Sequence, residues 1–273
     1  MTRDQQTDLS EFVQLWDFLE QAHTDVERMP DHGTARTALA PRQIDRTRPA
    51  GNRIYIHANT LIGSAWEHHQ AFRHLIHTDG FTPRAPFTLL RPVLECSLLA
   101  LWLLDPDDSE TRCRRALHME VQDWRAEKAY TTELGKLPHA RGLREAAAAE
   151  LNGVSKVYRE EADQLGVEYR DLNKQPINLT DEIPKIDALR AFTDDDFATH
   201  VVAEWRRLSG YTHGKVWSLY LGSDSPQAVE IPGGQRMYLV PSDTSIKAAI
   251  TITGKVFLSA MVLYINRCEG PAD

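Results

Sequence analysis

Phe87-Thr-Leu-Leu-Arg91-Pro92-Val-Leu-Glu95-Cys96-Ser-Leu-Leu-Ala-Leu-Trp102-Leu-Leu104 is apolar on almost every side of a helical wheel, and its reading decides the fold. It is too long for a strand, and a helix without a polar face has to be surrounded by other elements. The stretch therefore predicts the central helix of a bundle. Pro92 lacks an amide hydrogen and is expected to start the helix late or kink it.

Working outward, the helical signals continue on both sides. Asp105-Pro-Asp-Asp-Ser-Glu110 places acidic residues in a first turn, and the helix it opens is expected to run to about Leu134 and close at Gly135. Upstream, one helix is expected over Arg53 to Thr78, stopping at Asp79-Gly80. Another is expected over Leu9 to Met29, with Phe12, Leu15, Trp16 and Leu19 at helical spacing and Asp8 or Ser10 as its cap. Downstream, His139 to Leu165 is polar and Ala-rich, with i,i+4 pairs Arg141/Glu145, Lys156/Glu160 and Arg159/Asp163, the pattern of an outer, solvated helix. Gly166 to Pro184 reads as loop. Thr193-Asp-Asp-Asp196 then caps a helix through Val201, Val202, Trp205 and Leu208 that ends at Gly210 or Gly214. Ala228-Val-Glu-Ile231, Pro232-Gly-Gly234 and Met237-Tyr-Leu-Val240 read as a lone hairpin at about 228–240, and Ser242-Asp243-Thr244 caps a last helix. The sum is an all-α protein. It is expected as a single bundle of about seven to eight helices over 53–273 with one small β-hairpin, preceded by an N-terminal helix (1–29) and an Arg/Pro-rich linker or arm (30–52).

Composition narrows the function. The 273 residues carry a net charge of -8, which argues against coating nucleic acid but leaves a local basic patch open. Cys96, Cys113 and Cys268 form no C-x-x-C pair, which fits a reducing, cytoplasmic setting and removes Cys-rich zinc sites. No apolar leader follows Met1, so no secretory signal is expected. Ala248 to Ile265 is apolar enough to raise the question of a membrane. Lys255 near its centre favours a buried core helix, and no membrane partner is expected.

Three groups of residues stand out chemically. Arg91 and Glu95 are spaced i,i+4 on the most apolar helix, so they either form a structural ion pair or line a charged cleft. Glu204-Trp-Arg206-Arg207-Leu-Ser209-Gly-Tyr211-Thr-His213-Gly-Lys215 crowds cations and hydroxyls at a helix end. There His213 either caps the helix or moves a proton beside a bound phosphate. His57, Glu67 and His74 share one helix face but lack close ligand spacing, so a His-rich solvated face is expected and no metal site. A lone Glu20-x-x-His23 has no second copy of the kind a di-iron bundle needs. Arg36, Arg42, Arg46, Arg48 and Arg53 make the arm cationic, read as a solvated arm in preference to a phosphate-touching strap. Hydrolase, P-loop and zincin motifs are absent, and no cofactor is expected.

The order Leu-Leu-Arg91-Pro-Val-Leu-Glu95, Ala-Leu-Trp102-Leu-Leu-Asp-Pro106, Arg112-x-x-Arg115 and Leu208-Ser-x-x-x-His213-Gly resembles a group of actinobacterial all-helical proteins, over about Ile54 to Leu221. More loosely, the chain resembles the HEPN helical domains of toxins and phage-defence ribonucleases, whose signature is an Arg, four to six residues, then a His. That resemblance implies metal-independent RNA cleavage by a homodimer. Arg207, or Arg206, would hold the scissile phosphate and His213 would shuttle the proton of the ribose 2′-hydroxyl. Arg91, Glu95, Ser209, Tyr211 and Lys215 would line the binding site. The alternative expectation is a non-catalytic scaffold or ligand- or partner-binding module in which Arg91–Glu95 is structural.

Overall fold

A computed structural model describes residues 8–29, 40–78, 80, 82–192 and 196–269. In chain order its helices are α1 (Val13–Glu27), α2 (Pro41–Arg46), α3 (Gly51–Thr78), α4 (Ala85–Leu104), α5 (Ser109–Leu134), α6 (Arg141–Gln164), α7 (Tyr169–Lys174), α8 (Leu179–Glu182), α9 (Asp187–Arg190), α10 (Phe197–Thr212), α11 (Val216–Leu221) and α12 (Asp243–Glu269). Short 3₁₀ turns occupy Ser10–Phe12, Pro138–Ala140 and Ile183–Lys185. Strands β1 (Ser223–Ile231) and β2 (Gly234–Pro241) form one antiparallel hairpin. The protein is all-α with a small C-terminal hairpin. The fold separates into two compact units. One comprises residues 1–29, 59–102 and 179–265, the other 30–58, 103–178 and 266–273, so the boundaries fall inside α3, α4 and α12.

In the first unit, α4 is the central helix its composition predicts: Phe87, Leu90, Val93, Leu94, Leu98 and Leu101 are all buried. It begins at Ala85 and continues through Pro92, two residues earlier than expected rather than late. Helix α1 lies on α3 through an antiparallel seam of residues four and three apart on α1 and four and seven apart on α3. Trp16 meets His77 edge-on, Glu20 pairs with Arg73, and His23 stacks on Trp66 at 4.1 Å. Beneath this seam His69 is only 4% exposed, its ring facing Phe257 of α12 at 6.1 Å, and its Nε2 has no hydrogen-bond partner among the described residues. Burial, reinforced by Arg73, pushes its imidazole down from 6.5 to about 4.

The second unit is built round a buried polar centre. Asp45, from α2, is wholly buried. Its Oδ1 accepts from Ser109 Oγ (2.5 Å) and Arg112 Nη2 (2.6 Å); its Oδ2 accepts from Tyr55 Oη (2.7 Å) and Arg112 Nε (3.0 Å). Arg112 Nη1 donates onward to the carbonyls of Pro106 and Asp107. Arg42 is buried beside Asp45, 5.1 Å from the Tyr55 ring centroid, with Nη1 3.5 Å from Cys268 Sγ. This corrects the reading of 40–52 as a solvated arm. Arg42 faces inward, Arg53 pairs with Glu161, and Arg48, beside Glu110 at 3.7 Å, is exposed. Arg36 lies outside the described residues.

Several boundaries match their chemical signals. Asp108 caps α5, its Oδ2 accepting from Thr111 N at 2.7 Å, and the helix closes at Gly135. Ser242 caps α12 by accepting from Ser245 N at 3.4 Å. Lys156 and Glu160 approach to 3.9 Å on α6, while the side chains of Arg141 and Glu145 lie outside the described set. The stretch read as loop, Gly166 to Pro184, instead holds the short helices α7 and α8. Thr193–Asp195 lie outside the described residues, and Asp196 precedes α10 without a side-chain cap. Two helices, α4 and α12, are long and apolar enough to cross a membrane by length and composition, with two thirds and half of their apolar windows buried within the protein.

Two measurements follow from this architecture. Asp45→Ala leaves Arg112 buried without its carboxylate and is expected to cost about 3–5 kcal/mol in urea unfolding; an unchanged midpoint would refute the central role of the pair. His69 takes its proton in the unfolded chain near pH 6.5 but in the folded protein only near 4. The unfolded state therefore binds more protons in that window, and stability is expected to fall by about 3 kcal/mol as pH drops through it, then level. Comparing the pH dependence of unfolding with that of His69→Leu isolates this contribution, which vanishes in the variant.

Candidate functional site

Helix α10 ends in a Schellman motif. His213 is the C-cap, Gly214 follows with φ +64°, Lys215 N donates to Gly210 O at 2.8 Å, and Gly214 N donates to Tyr211 O at 3.1 Å. The helix thus ends at Thr212 with His213 as its cap, stopped by Gly214, the second of the two expected glycines, and the imidazole remains exposed. Arg206 lies two turns earlier, about 10 Å along the axis and on the same face; it too is exposed. Gly210 sits between them on that face. A Cβ at Gly210 would stand 2.8 Å from Ser218 Cβ and 2.9 Å from Trp217 Cζ2, so the missing side chain is what lets α11 dock here. The Trp217 ring, 46% exposed, packs on Gly210, which lies one turn after Arg206 and one turn before His213, and Lys215 is exposed at the turn.

The other predicted site residues have different positions. Arg207 is turned inward. Nε and Nη2 clamp Glu204 at 2.8 and 2.7 Å, Nη2 also donates to Ser245 O at 2.8 Å, and the guanidinium lies 5.1 Å from the Phe87 ring centroid. Its remaining amino group, Nη1, is buried and has no solvent face from which to meet a phosphate. Tyr211 is buried and stacked on Phe87 at 4.2 Å, which pushes its phenol up through desolvation. Ser209 is half-buried, its carbonyl accepting from His213 N at 3.0 Å. The fold therefore leaves Arg206, His213 and Lys215 exposed at the end of α10 and withdraws Arg207 and Tyr211 into the packing.

Arg91 ties α4 to α10. Its Nη1 donates to Trp205 O at 3.1 Å, its guanidinium stacks 4.1 Å from the Trp205 ring centroid, and Nη2 stands 3.3 Å from Glu95. Glu95 is 41% exposed, so this pair is half open to water rather than sealed. Desolvation, partly offset by Glu95, lowers the Arg91 pKa.

One cluster escaped sequence reasoning. In the second unit, His57 Nε2 lies 2.5 Å from Glu120 Oε2, Tyr158 Oη donates to Glu120 Oε1 at 2.9 Å, and Arg53 reaches both Glu161 and, at 3.9 Å, Glu120. The hydrogen bonds from His57 and Tyr158 hold the Glu120 carboxyl below its usual range, while burial and the same carboxylate push the Tyr158 phenol up. His57 is thus a half-buried link of α3 to α5, not part of a solvated stripe. Glu67 and His74 are exposed further along α3, and no group of three or more metal-ligating side chains occurs among the described residues. Only a contact map joins His57 to Glu120; no local spacing encodes it.

No family model, curated protein or solved structure matches the chain. The geometry above stands by itself as the ground for a functional reading. It yields one separable expectation. Arg91→Ala removes a cation–π contact and a hydrogen bond and is expected to cost about 1–3 kcal/mol, whereas Glu95→Gln is expected to cost under about 1 kcal/mol because its carboxylate keeps water contact. Paired thermal unfolding curves check this, and equal losses would contradict the half-open geometry.

Proposed function

We propose that the chain is a cytoplasmic helical binding module whose ligand is single-stranded RNA, held at the Arg206–Trp217–His213 face. The observation that supports this reading is the partly exposed Trp217 packed on Gly210 at the end of α10, where Arg206, His213 and Lys215 are also exposed. Successive phosphates need such cations, and an unpaired base needs an aromatic face on which to stack. The net charge of -8 confines a polyanion to a local patch of this kind.

A ribonuclease reading rests on the same face, with Arg206 in place of the inward-turned Arg207 as the phosphate-holding group and His213 as the proton carrier; exposure of His213 favours it. Both readings are tested with one labelled single-stranded RNA. Fluorescence anisotropy is expected to report binding that weakens with salt, falls about tenfold or more in Trp217→Ala, and falls further in Arg206→Ala with Lys215→Ala. Arg206 and Lys215 are exposed, so the melting temperature of that double variant is expected to hold. RNA that stays intact under saturating protein supports the binding module. Cleavage abolished by His213→Ala with binding retained supports the nuclease. Absence of binding at low salt overturns both.

A further inference from the structure

We propose that Tyr220 is a second stacking residue beside Trp217, so that the face takes two consecutive unpaired bases of one strand. The inference rests on the RNA-binding reading and adds to it the kind of strand that the face selects.

Aromatic side chains in this protein have partners within the fold almost everywhere. Trp16, Trp66, Trp124 and Trp205 each lie against another ring or a cation, and the indole nitrogen of Trp102 donates to Glu182 at 2.9 Å. Trp217 has no ring, cation or hydrogen-bond partner among the described residues, and neither has Tyr220. Both are nearly half exposed, at 46% and 45%. Tyr130 of α5 is exposed as well, but no second aromatic residue stands three or four positions from it.

Helix α11 puts the two rings on one surface. Residues three apart on a helix have Cβ atoms about 5–6 Å from each other, so Trp217 and Tyr220 leave α11 as neighbours. Ser218 and Leu219, between them in sequence, are buried, which makes the Trp217–Tyr220 side the outward one. Two rings carried on one short helix are held in a fixed relation before any ligand arrives, which lowers the ordering cost of binding. Surfaces that bind single strands stack successive bases on aromatic side chains, and paired rings on RNA-binding modules accept two or three bases. A base within a duplex already has its faces covered by its neighbours, so a pair of rings selects unpaired nucleotides. The exposed Arg206 and Lys215 suit the phosphates of such a strand and favour a polyanion over an apolar protein partner.

Fluorescence anisotropy with the full chain tests this by comparing a labelled single-stranded oligoribonucleotide with a strand of equal length made entirely of abasic residues. Each stacked base is worth about tenfold or more, so the wild type is expected to prefer the intact strand about a hundredfold. Tyr220→Ala and Trp217→Ala are each expected to lower that preference to about tenfold, and the double variant to abolish it. Affinity for the abasic strand depends on phosphate contacts and is expected to be the same in all variants, which also shows that each is folded. Tyr220→Phe keeps the ring and is expected to bind like the wild type. If Tyr220→Ala keeps the full preference while Trp217→Ala loses it, the second stacking position is overturned and the RNA-binding reading stands. A wild type that binds both strands equally also overturns the inference, and one that binds neither at low salt overturns the underlying reading with it.

Discussion

The second unit depends on a carboxylate that could not be buried alone. Taking an ionised Asp out of water costs several kcal/mol even after relaxation, and the site offsets this by filling all four acceptor positions of Asp45 at once. Two of the donors belong to Arg112, whose other amino group holds the carbonyls of Pro106 and Asp107. Arg267 completes the arrangement from the end of α12. It donates to the carbonyls of Leu104, Asp105 and Pro106 and to the Asp107 carboxylate, so the turn after α4 has its backbone acceptors claimed by two guanidinium groups. A buried network in which each member is satisfied specifies one arrangement of its helices, because any slip leaves a charge unpaired.

The arginines of the first unit divide along the same physical line. Arg91 and Arg207 end on backbone carbonyls and carboxylates and lie against aromatic rings, which makes them part of the packing. Planar, weakly hydrated guanidinium groups suit that role better than ammonium groups do. Arg206, one residue away, turns about 100° round the helix and meets water. Adjacent residues of one type thus have opposite uses, decided by helical phase. The resemblance to an Arg…His ribonuclease signature does not distinguish them, because either arginine satisfies its spacing.

Legibility followed the range of the interaction. α5 was readable at both ends because Asp108 and Gly135 act on their own neighbours in the chain. α4 was readable as central because it has no polar face, and the hairpin because its turn chemistry is local. The stretch around Arg42 and Asp45 was misread for the converse reason. Its charges look solvated by composition, and their partners lie 67 residues on at Arg112 and 226 residues on at Cys268. His57 failed in the same way: sequence placed it with Glu67 and His74 on its own helix, whereas its partner Glu120 is 63 residues distant. Of the residues on the proposed face, sequence reasoning singled out Arg206, His213 and Lys215 but not Trp217, whose position follows from Gly210 permitting close approach of α11.

Placing a cationic face on an acidic molecule has a consequence for how it meets its ligand. The field of a body with net charge -8 repels a polyanion at long range, and in the proposed reading the exposed Arg206 and Lys215 reverse that repulsion locally. Screening by salt reduces the general repulsion and the local attraction together, over about 8 Å at physiological ionic strength, whereas stacking on Trp217 is far less sensitive to ions. In the proposed RNA-binding reading, the Trp217 ring would supply the part of the affinity that survives in salt, and the Schellman turn that holds His213 and Lys215 would limit the ordering cost on binding.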